Sequence, residues 1–304
     1  MCASGTEGWN PTARTLIDMS DEMTGKLVLI TGGNAGIGKE TAVGLASKGA
    51  HIVFTSRSMA RGNDALVEIK QRSGNDAVEL MTLDLASLAS VREFAAAFLD
   101  RYDRLHVLID NAGLVLTSRS VTEDGYEMTF QVNHLGHFLL TELLRDRLVA
   151  SAPSRIVVVA SDAHKSARHG LDFEDLQSER KYRSFGVYGK TKLANILFTR
   201  ELARRLEGTG VTVNSVHPGF VASRFGRDGD TGLIGKFVMP LMRPFALNAE
   251  QGAKTSIYLA SDPAVEGITG AYWVKCAPVS PSDAAQDDDA ARHLWDVSEQ
   301  LVSA

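Results

Sequence analysis

A chain of 304 residues with 44% apolar and 23% charged positions can bury a sizeable core and has the balance of an ordinary globular protein. Its net charge of −5, without any Lys/Arg-rich tract, argues against nucleic acid as a partner. Cys2 and Cys276 alone give no basis for a disulfide framework or a cysteine metal site, and no stretch nears the ~18 apolar residues of a membrane span. A reducing cytoplasm is the expected location.

Residues 1–24 are largely polar, lack an apolar core of signal-peptide length and read as an N-terminal extension; residues 25–304 read as one domain. The predicted strands are Leu27–Thr31, His51–Ser56, Ala77–Thr82, Val107–Asn111, Arg155–Ala160 and Val211–Val216, with a short last one near Ala271–Val274. Helices are predicted between them over Lys39–Lys48, Met59–Arg72, Leu88–Tyr102, Met128–Arg147, Tyr188–Leu206 and Asn248–Ala260. This alternation reads as an α/β doubly wound fold, a mostly parallel seven-stranded sheet with helices on both faces. The continuous apolar runs Val107–Ile109 and Ile156–Val159 suit strands covered on both sides. The run Asp283 to Asp289, with four aspartates, reads as a solvated loop before a final helix around Ala290–Leu301.

Directly after the first predicted strand comes Thr31-Gly32-Gly33-Asn34-Ala35-Gly36-Ile37-Gly38, a Gly-x3-Gly-x-Gly turn leading into a helix. Strand, tight turn and helix N-terminus together cradle a pyrophosphate on backbone N–H groups. Gly32, Gly36 and Gly38 suit positive φ or close approach of a ligand, with Asn34, Ala35 and Ile37 completing the turn. Asp84, followed by Leu85, is placed past the third strand to accept from an adenine amino group. Asn111-Ala112-Gly113 ends the fourth strand with small residues against which a dinucleotide can lie. A helix cap for Asp84 and an ordinary turn for Asn111–Gly113 are the alternatives. At the end of the second strand an NAD site carries a carboxylate, whereas this chain has Ser56-Arg57-Ser58. A guanidinium there clamps a 2′-phosphate, with Ser56 and Asn34 as further donors, so the expected cofactor is NADP(H).

Tyr188 and Lys192 lie one helical turn apart, and Ser161 ends the predicted fifth strand, 27 positions before Tyr188. A free phenol, with a pKa of about 10, is a poor base at neutral pH, and a neighbouring ammonium is expected to lower it. Tyr188 then exchanges a proton with a carbonyl or alcohol oxygen that the Ser161 hydroxyl holds, while Lys192 also reaches the nicotinamide ribose. With these groups and the glycine turn in this order, the chain resembles the short-chain dehydrogenase/reductase superfamily over roughly residues 24–275. The resemblance implies a Rossmann fold. It also gives Asn133, in Gln131–His137, the role of holding a water that links Lys192 to solvent. His217-Pro218-Gly219-Phe220-Val221 is similar to the segment that contacts the nicotinamide amide, which brings in Pro218, Gly219 and Val221; Ser223 stands where a threonine is common.

The stretches Val132–Phe138, Ser161–His164, Thr255–Ser261 and Leu294–Glu299 resemble the retinol dehydrogenase-like branch, which includes the oxidoreductase domain of WW-domain-containing relatives. Many members of that branch use NADP(H). With residues 1–21 polar, no apolar anchor is expected there, and the expected substrate is a small hydrophobic carbonyl or alcohol compound (aldehyde, ketone or retinoid-like).

Rival constellations are weaker. His134 and His137 lack a third metal ligand at a recognisable spacing and read as packing or hydrogen-bonding residues. Ser161, Asp162 and His164 hold the residue types of a hydrolase triad, but their adjacency and the lack of a Gly-x-Ser-x-Gly elbow argue against it. The apolar stripe Leu233–Phe245, broken by Pro240 and Pro244, leaves three readings open: a substrate lid at about 222–248, a membrane-surface contact, or core. A conjugated C=C reductase and a non-catalytic nucleotide-sensing module are the alternative functions. Homo-oligomerisation is expected from the resemblance.

Overall fold

The computed structural model describes residues 22–219 and 248–303. Its strands are β1 Leu27–Ile30, β2 His51–Ser56, β3 Val78–Thr82, β4 Val107–Asp110, β5 Ser154–Val159, β6 Val211–His217, β7 Tyr272–Val274 and β8 Ala277–Val279. The helices are α1 Gly36–Ala46, α2 Met59–Ser73, α3 Leu88–Arg101, α4 Met128–Phe130, α5 Gly136–Ala150, α6 Ser184–Arg205, α7 Ala249–Ser261 and α8 Asp288–Ser303. One sheet in the order β3-β2-β1-β4-β5-β6-β7-β8 carries them, parallel throughout except for the β7–β8 pair.

Successive side chains of each strand go to opposite faces, so an unbroken apolar run feeds two cores at once. Leu27, Leu29, Leu108, Ile156 and Val158 pack with α3, α5, α6 and Trp295 of α8. Val28, Ile30, Val107, Ile109, Val157 and Val159 pack with residues of α1, α2 and α7. This is the doubly wound α/β domain expected, with one strand more among the described residues than the seven anticipated. The extra strand, β8, follows a two-residue turn in which Lys275 (φ 52) and Cys276 (φ 59) both take positive φ. Such a turn normally signals itself with Asn-Gly or Gly, and here neither is present.

The acidic run is not a free loop. Asp287 accepts from Ala290 N–H at 2.9 Å, and α8 begins at Asp288, whose carboxylate pairs with Arg200 at 2.7 Å. Acidic groups in a first helical turn are favoured by the helix dipole. Likewise, the predicted helix Met128–Arg147 is interrupted by a π turn over Gln131–Leu135.

The sheet order fixes the site. From β1 the chain winds outward through β2 and β3, then returns to place β4 on the other side of β1. The loops leaving β1 and β4 therefore diverge, and the crevice between them is where open α/β sheets bind ligands. Register pairs Ile30 with Ile109, so the glycine turn and Asn111 leave the sheet side by side.

Candidate active site

Thr31, at the end of β1, joins the two walls of this crevice. Its hydroxyl oxygen accepts from Asn111 N–H at 2.9 Å and Ala112 N–H at 3.0 Å, and Asn111 Nδ2 donates to Thr31 O at 2.8 Å. With both lone pairs engaged, the Thr31 proton is left to donate, to His137 Nε2 at 2.9 Å or to the more distant Ile109 O at 3.4 Å. Sequence reading gave Thr31 no such role, since a threonine before a glycine turn carries no signal of a partner 106 positions away.

The turn fits a dinucleotide phosphate. Gly32 and Gly36 have φ of 67° and 55°, and Ala35, the N-cap of α1, has no side chain to satisfy the first helical N–H groups. Gly38 acts differently from the other two: a Cβ there would lie 2.4 Å from Asn111 Nδ2 and 2.6 Å from Gly32 O. Its smallness lets α1 close onto the turn. Asn34, Ala35 and Ile37 are half-buried along this loop. Arg57 is exposed at the carboxyl end of β2, while buried Ser56 has its hydroxyl tied to Ser58. Asp84 accepts from Ala86 N–H at 3.0 Å, and the capping role falls to Ser87. Leu85 is a core residue whose side chain and carbonyl lie against Gly136.

At the carboxyl ends of β4, β5 and β6 three further groups converge. Tyr188 lies in the first turns of α6, half-buried, with its phenol hydrogen-bonded to Ser161. Lys192, a turn later and buried, donates from Nζ to Val159 O at 2.8 Å and stands 5.7 Å from the Tyr188 ring centre. Gly113 lies opposite; a Cβ there would reach 3.6 Å from Lys192 Nζ and 3.2 Å from Asn133 Oδ1. Asn133, in the π turn, accepts from Leu114 N–H at 2.8 Å and donates to Leu114 O at 2.9 Å and Thr191 Oγ1 at 3.0 Å. Both amide hydrogens are thus spent on tying the β4 loop to α6, and a water relay at Asn133 would rest on its oxygens. The π turn sets this side chain, in keeping with the frequent use of such turns at functional sites.

The expected lowering of the phenol is not found in the chain alone. Burial pushes Tyr188 up to about 12 with only the Ser161 hydrogen bond opposing it, because the surrounding protein penalises the phenolate. Burial likewise pushes Lys192 down to about 8.

Asp110, the residue before Asn111, is buried, accepts from Thr141 Oγ1 at 3.1 Å through Oδ2, and leaves Oδ1 without a partner among the described residues. Burial pushes its carboxyl up to about 8. The folded chain therefore keeps a proton that the unfolded chain releases above about pH 4. The associated stability is complete below that pH and drains away as pH rises through about 8. Asp110→Asn keeps an acceptor for Thr141 and has no proton to lose. Its thermal stability should fall less steeply than wild type between pH 5 and 8, by up to about 1.4 kcal/mol per pH unit; equal slopes would exonerate Asp110.

The residues of the rival constellations have other partners in this geometry. His134 Nε2 lies 2.8 Å from Ser298 Oγ among Phe130, Phe138 and Phe198, His137 serves Thr31, and no metal-binding cluster occurs among the described residues. His164 bonds the Ser161 carbonyl, not its hydroxyl, so there is no triad. His217 accepts from Asp162 N–H at 3.3 Å, and Pro218 and Gly219 (φ 86) follow it beside the cleft. Val221, Ser223 and the stripe Leu233–Phe245 lie outside the described residues. Among the described residues no helix is long and apolar enough to cross a membrane.

Comparisons with known proteins agree with this architecture. The short chain dehydrogenase family model matches residues 26–172 and 175–231. Retinol dehydrogenase 14 of Mus musculus is 47% identical over 291 residues, spanning 92% of this chain and 86% of its own length. The WW domain-containing oxidoreductase of Gallus gallus is 44% identical over 300 residues, spanning 96% of this chain and 72% of its own. The crystal structure of an uncharacterized protein from Mycobacterium paratuberculosis superposes with a TM-score of 0.74 at 33% identity, covering 95% of this chain and 97% of that one. The Pseudomonas aeruginosa RhlG/NADP active-site complex gives 0.67 at 26% identity, covering 83% and 96%. The chain therefore belongs to the short-chain dehydrogenase/reductase family of oxidoreductases, in its retinol dehydrogenase-like branch.

Proposed function

We propose that this oxidoreductase uses NADP(H) to interconvert a carbonyl and an alcohol on a hydrophobic substrate. The observation that carries the reading is the convergence of Ser161, Tyr188 and Lys192 beside the glycine turn. A bound nicotinamide supplies the hydride donor or acceptor. The chain supplies the proton and the positioning. With its phenol pushed up to about 12, Tyr188 carries its proton at neutral pH and is suited to donating it to a carbonyl oxygen, the reductive direction. Ser161 Oγ is the second donor for that oxygen. Lys192 Nζ has three hydrogens, of which one is committed to Val159 O, so others remain for the cofactor ribose.

Two observations support the finer assignments. Arg57 is exposed at the carboxyl end of β2, where a guanidinium can clamp a 2′-phosphate, and RhlG, a structural relative, was solved with NADP. Phe185, 63% exposed with its ring 6.4 Å from that of Tyr188, offers an apolar surface beside the reacting phenol.

The test is oxidation of NADPH and NADH with a panel of aliphatic and aromatic aldehydes and ketones. Turnover of hydrophobic carbonyls with NADPH is expected. Arg57→Asp should raise KM for NADPH by about 10- to 100-fold, the worth of a charge-assisted bond, and leave NADH little changed. An unchanged NADPH/NADH preference would overturn the NADP assignment.

A further inference from the structure

We propose that His164 is a positioning residue, its neutral ring protonated on Nδ1 and clamping the Ser161 main chain so that the serine hydroxyl stays against Tyr188. The proposal rests on the oxidoreductase reading above and names a residue that reading does not use.

Ser161 needs a clamp because the sheet stops holding the chain one residue earlier. Ala160 N–H still bonds Val216 O of β6 at 2.9 Å, whereas Ser161 leaves the sheet in an extended conformation (φ −166, ψ 153). Its hydroxyl accepts from Ala163 N–H at 3.1 Å, within the 3₁₀ turn that starts there. The Ser161 carbonyl is 2.7 Å from His164 Nδ1 and accepts from His164 N–H at 3.1 Å. A carbonyl cannot donate, so Nδ1 carries the hydrogen. The other ring nitrogen, Nε2, lies 3.2 Å from Ser282 N, and a backbone amide can only donate, so Nε2 carries none. The two partners specify a single tautomer. A second ring proton would set N–H against N–H, and burial holds the ring below the ordinary histidine range.

Because both nitrogens face backbone groups and the side chain is fully buried, His164 cannot exchange protons with a substrate. What it can do is transmit position. Its ring packs edge-on against Tyr272 at 5.2 Å, and the Tyr272 hydroxyl donates to Asp162 Oδ1 at 3.0 Å. The turn bearing Ser161 is thereby fastened to β7 and to the loop after β8, 118 positions downstream.

Amide side chains separate the two bonds. The Nδ2 of Asn in His164→Asn falls near the place of Nδ1 and keeps the donor to Ser161 O. The longer Gln in His164→Gln reaches towards Ser282 and gives that donor up. In the full chain, His164→Asn should retain kcat within about 3-fold, and His164→Gln should lose about 30-fold, within the range that small misplacements cost. The NADPH dissociation constant, read by nicotinamide fluorescence, should stay within about 2-fold for both. Equal losses in the two variants, losses that follow the melting temperature, or a shift confined to NADPH affinity would overturn the clamp. A second readout needs no turnover. With 15N-labelled histidine, and His164→Gln to assign the signal among the 8 histidines, the His164 ring should be protonated on Nδ1 alone from pH 6 to 8. An Nε2–H tautomer or a doubly protonated ring refutes the proposal even if no carbonyl is reduced, whereas an inactive wild type with the Nδ1–H tautomer refutes only the oxidoreductase reading.

Discussion

Replacing Tyr188 by Phe is expected to lower kcat by about two to four orders of magnitude while NADPH binding stays within about a factor of two. The substitution removes one oxygen and keeps the ring that Lys192 Nζ approaches to 5.7 Å and that Phe185 flanks at 6.4 Å. Packing is therefore retained, while the proton and its hydrogen bond to Ser161 are lost. The loss is expected because the phenol, pushed up by burial to about 12, carries a proton in the neutral range that it can donate. The size follows from what positioned proton transfer contributes in other enzymes. A variant with undiminished kcat would mean that the oxygen of the substrate takes its proton from elsewhere, and Tyr188 would lose its assigned role.

The second large effect belongs to a residue that carries no chemistry. Gly189→Ala should lower kcat by about 100-fold, although alanine in a helix interior normally stabilises by about 0.5–1 kcal/mol over glycine. A Cβ at Gly189 would stand 2.0 Å from Ser166 Oγ and 2.7 Å from Ala163 O. The serine hydroxyl can rotate away, but the Ala163 carbonyl is backbone of the turn that bears Ser161. That turn must retreat from α6, and the Ser161–Tyr188 hydrogen bond lengthens with it. Gly186→Ala, on the same helix, is the control: its Cβ would meet nothing closer than Arg183 Cβ at 3.6 Å, and activity should be kept. Gly189→Ala with wild-type kcat and a higher melting temperature would show that the close approach is dispensable.

The residues differ in how openly they announce these roles. Tyr188, Lys192 and Ser161 are legible because helical spacing and the end of an apolar run determine where such groups emerge. The glycine turn is legible for the same reason, as is most of the sheet: β2 spans His51–Ser56 as expected, and the other predicted strand boundaries are within a residue of those found. What escaped detection depends on contacts distant in the chain. The strand β8 follows a turn built from Lys275 and Cys276, residues that rarely take positive φ. The π turn around Asn133 is an inserted residue's worth of backbone with no residue type to mark it. The upward push on Tyr188 comes from desolvation, which no local pattern encodes, whereas the nearby ammonium is visible as helical spacing. Gly189 left the one hint that was available: a glycine inside a strong helix costs stability, and something must require it there.

Hydride transfer to a carbonyl carbon is tested most directly by supplying NADPH deuterated at both C4 positions with hydrophobic aldehydes and ketones and locating the label in the product by mass spectrometry. One deuterium on the carbinol carbon, strongly diminished with Tyr188→Phe, is the expected result. Label on a carbon of a former C=C bond would reveal a conjugated-alkene reductase instead. Binding of the dinucleotide with no label delivered to any carbonyl compound would contradict the proposed reaction and leave a nucleotide-sensing module on the same fold.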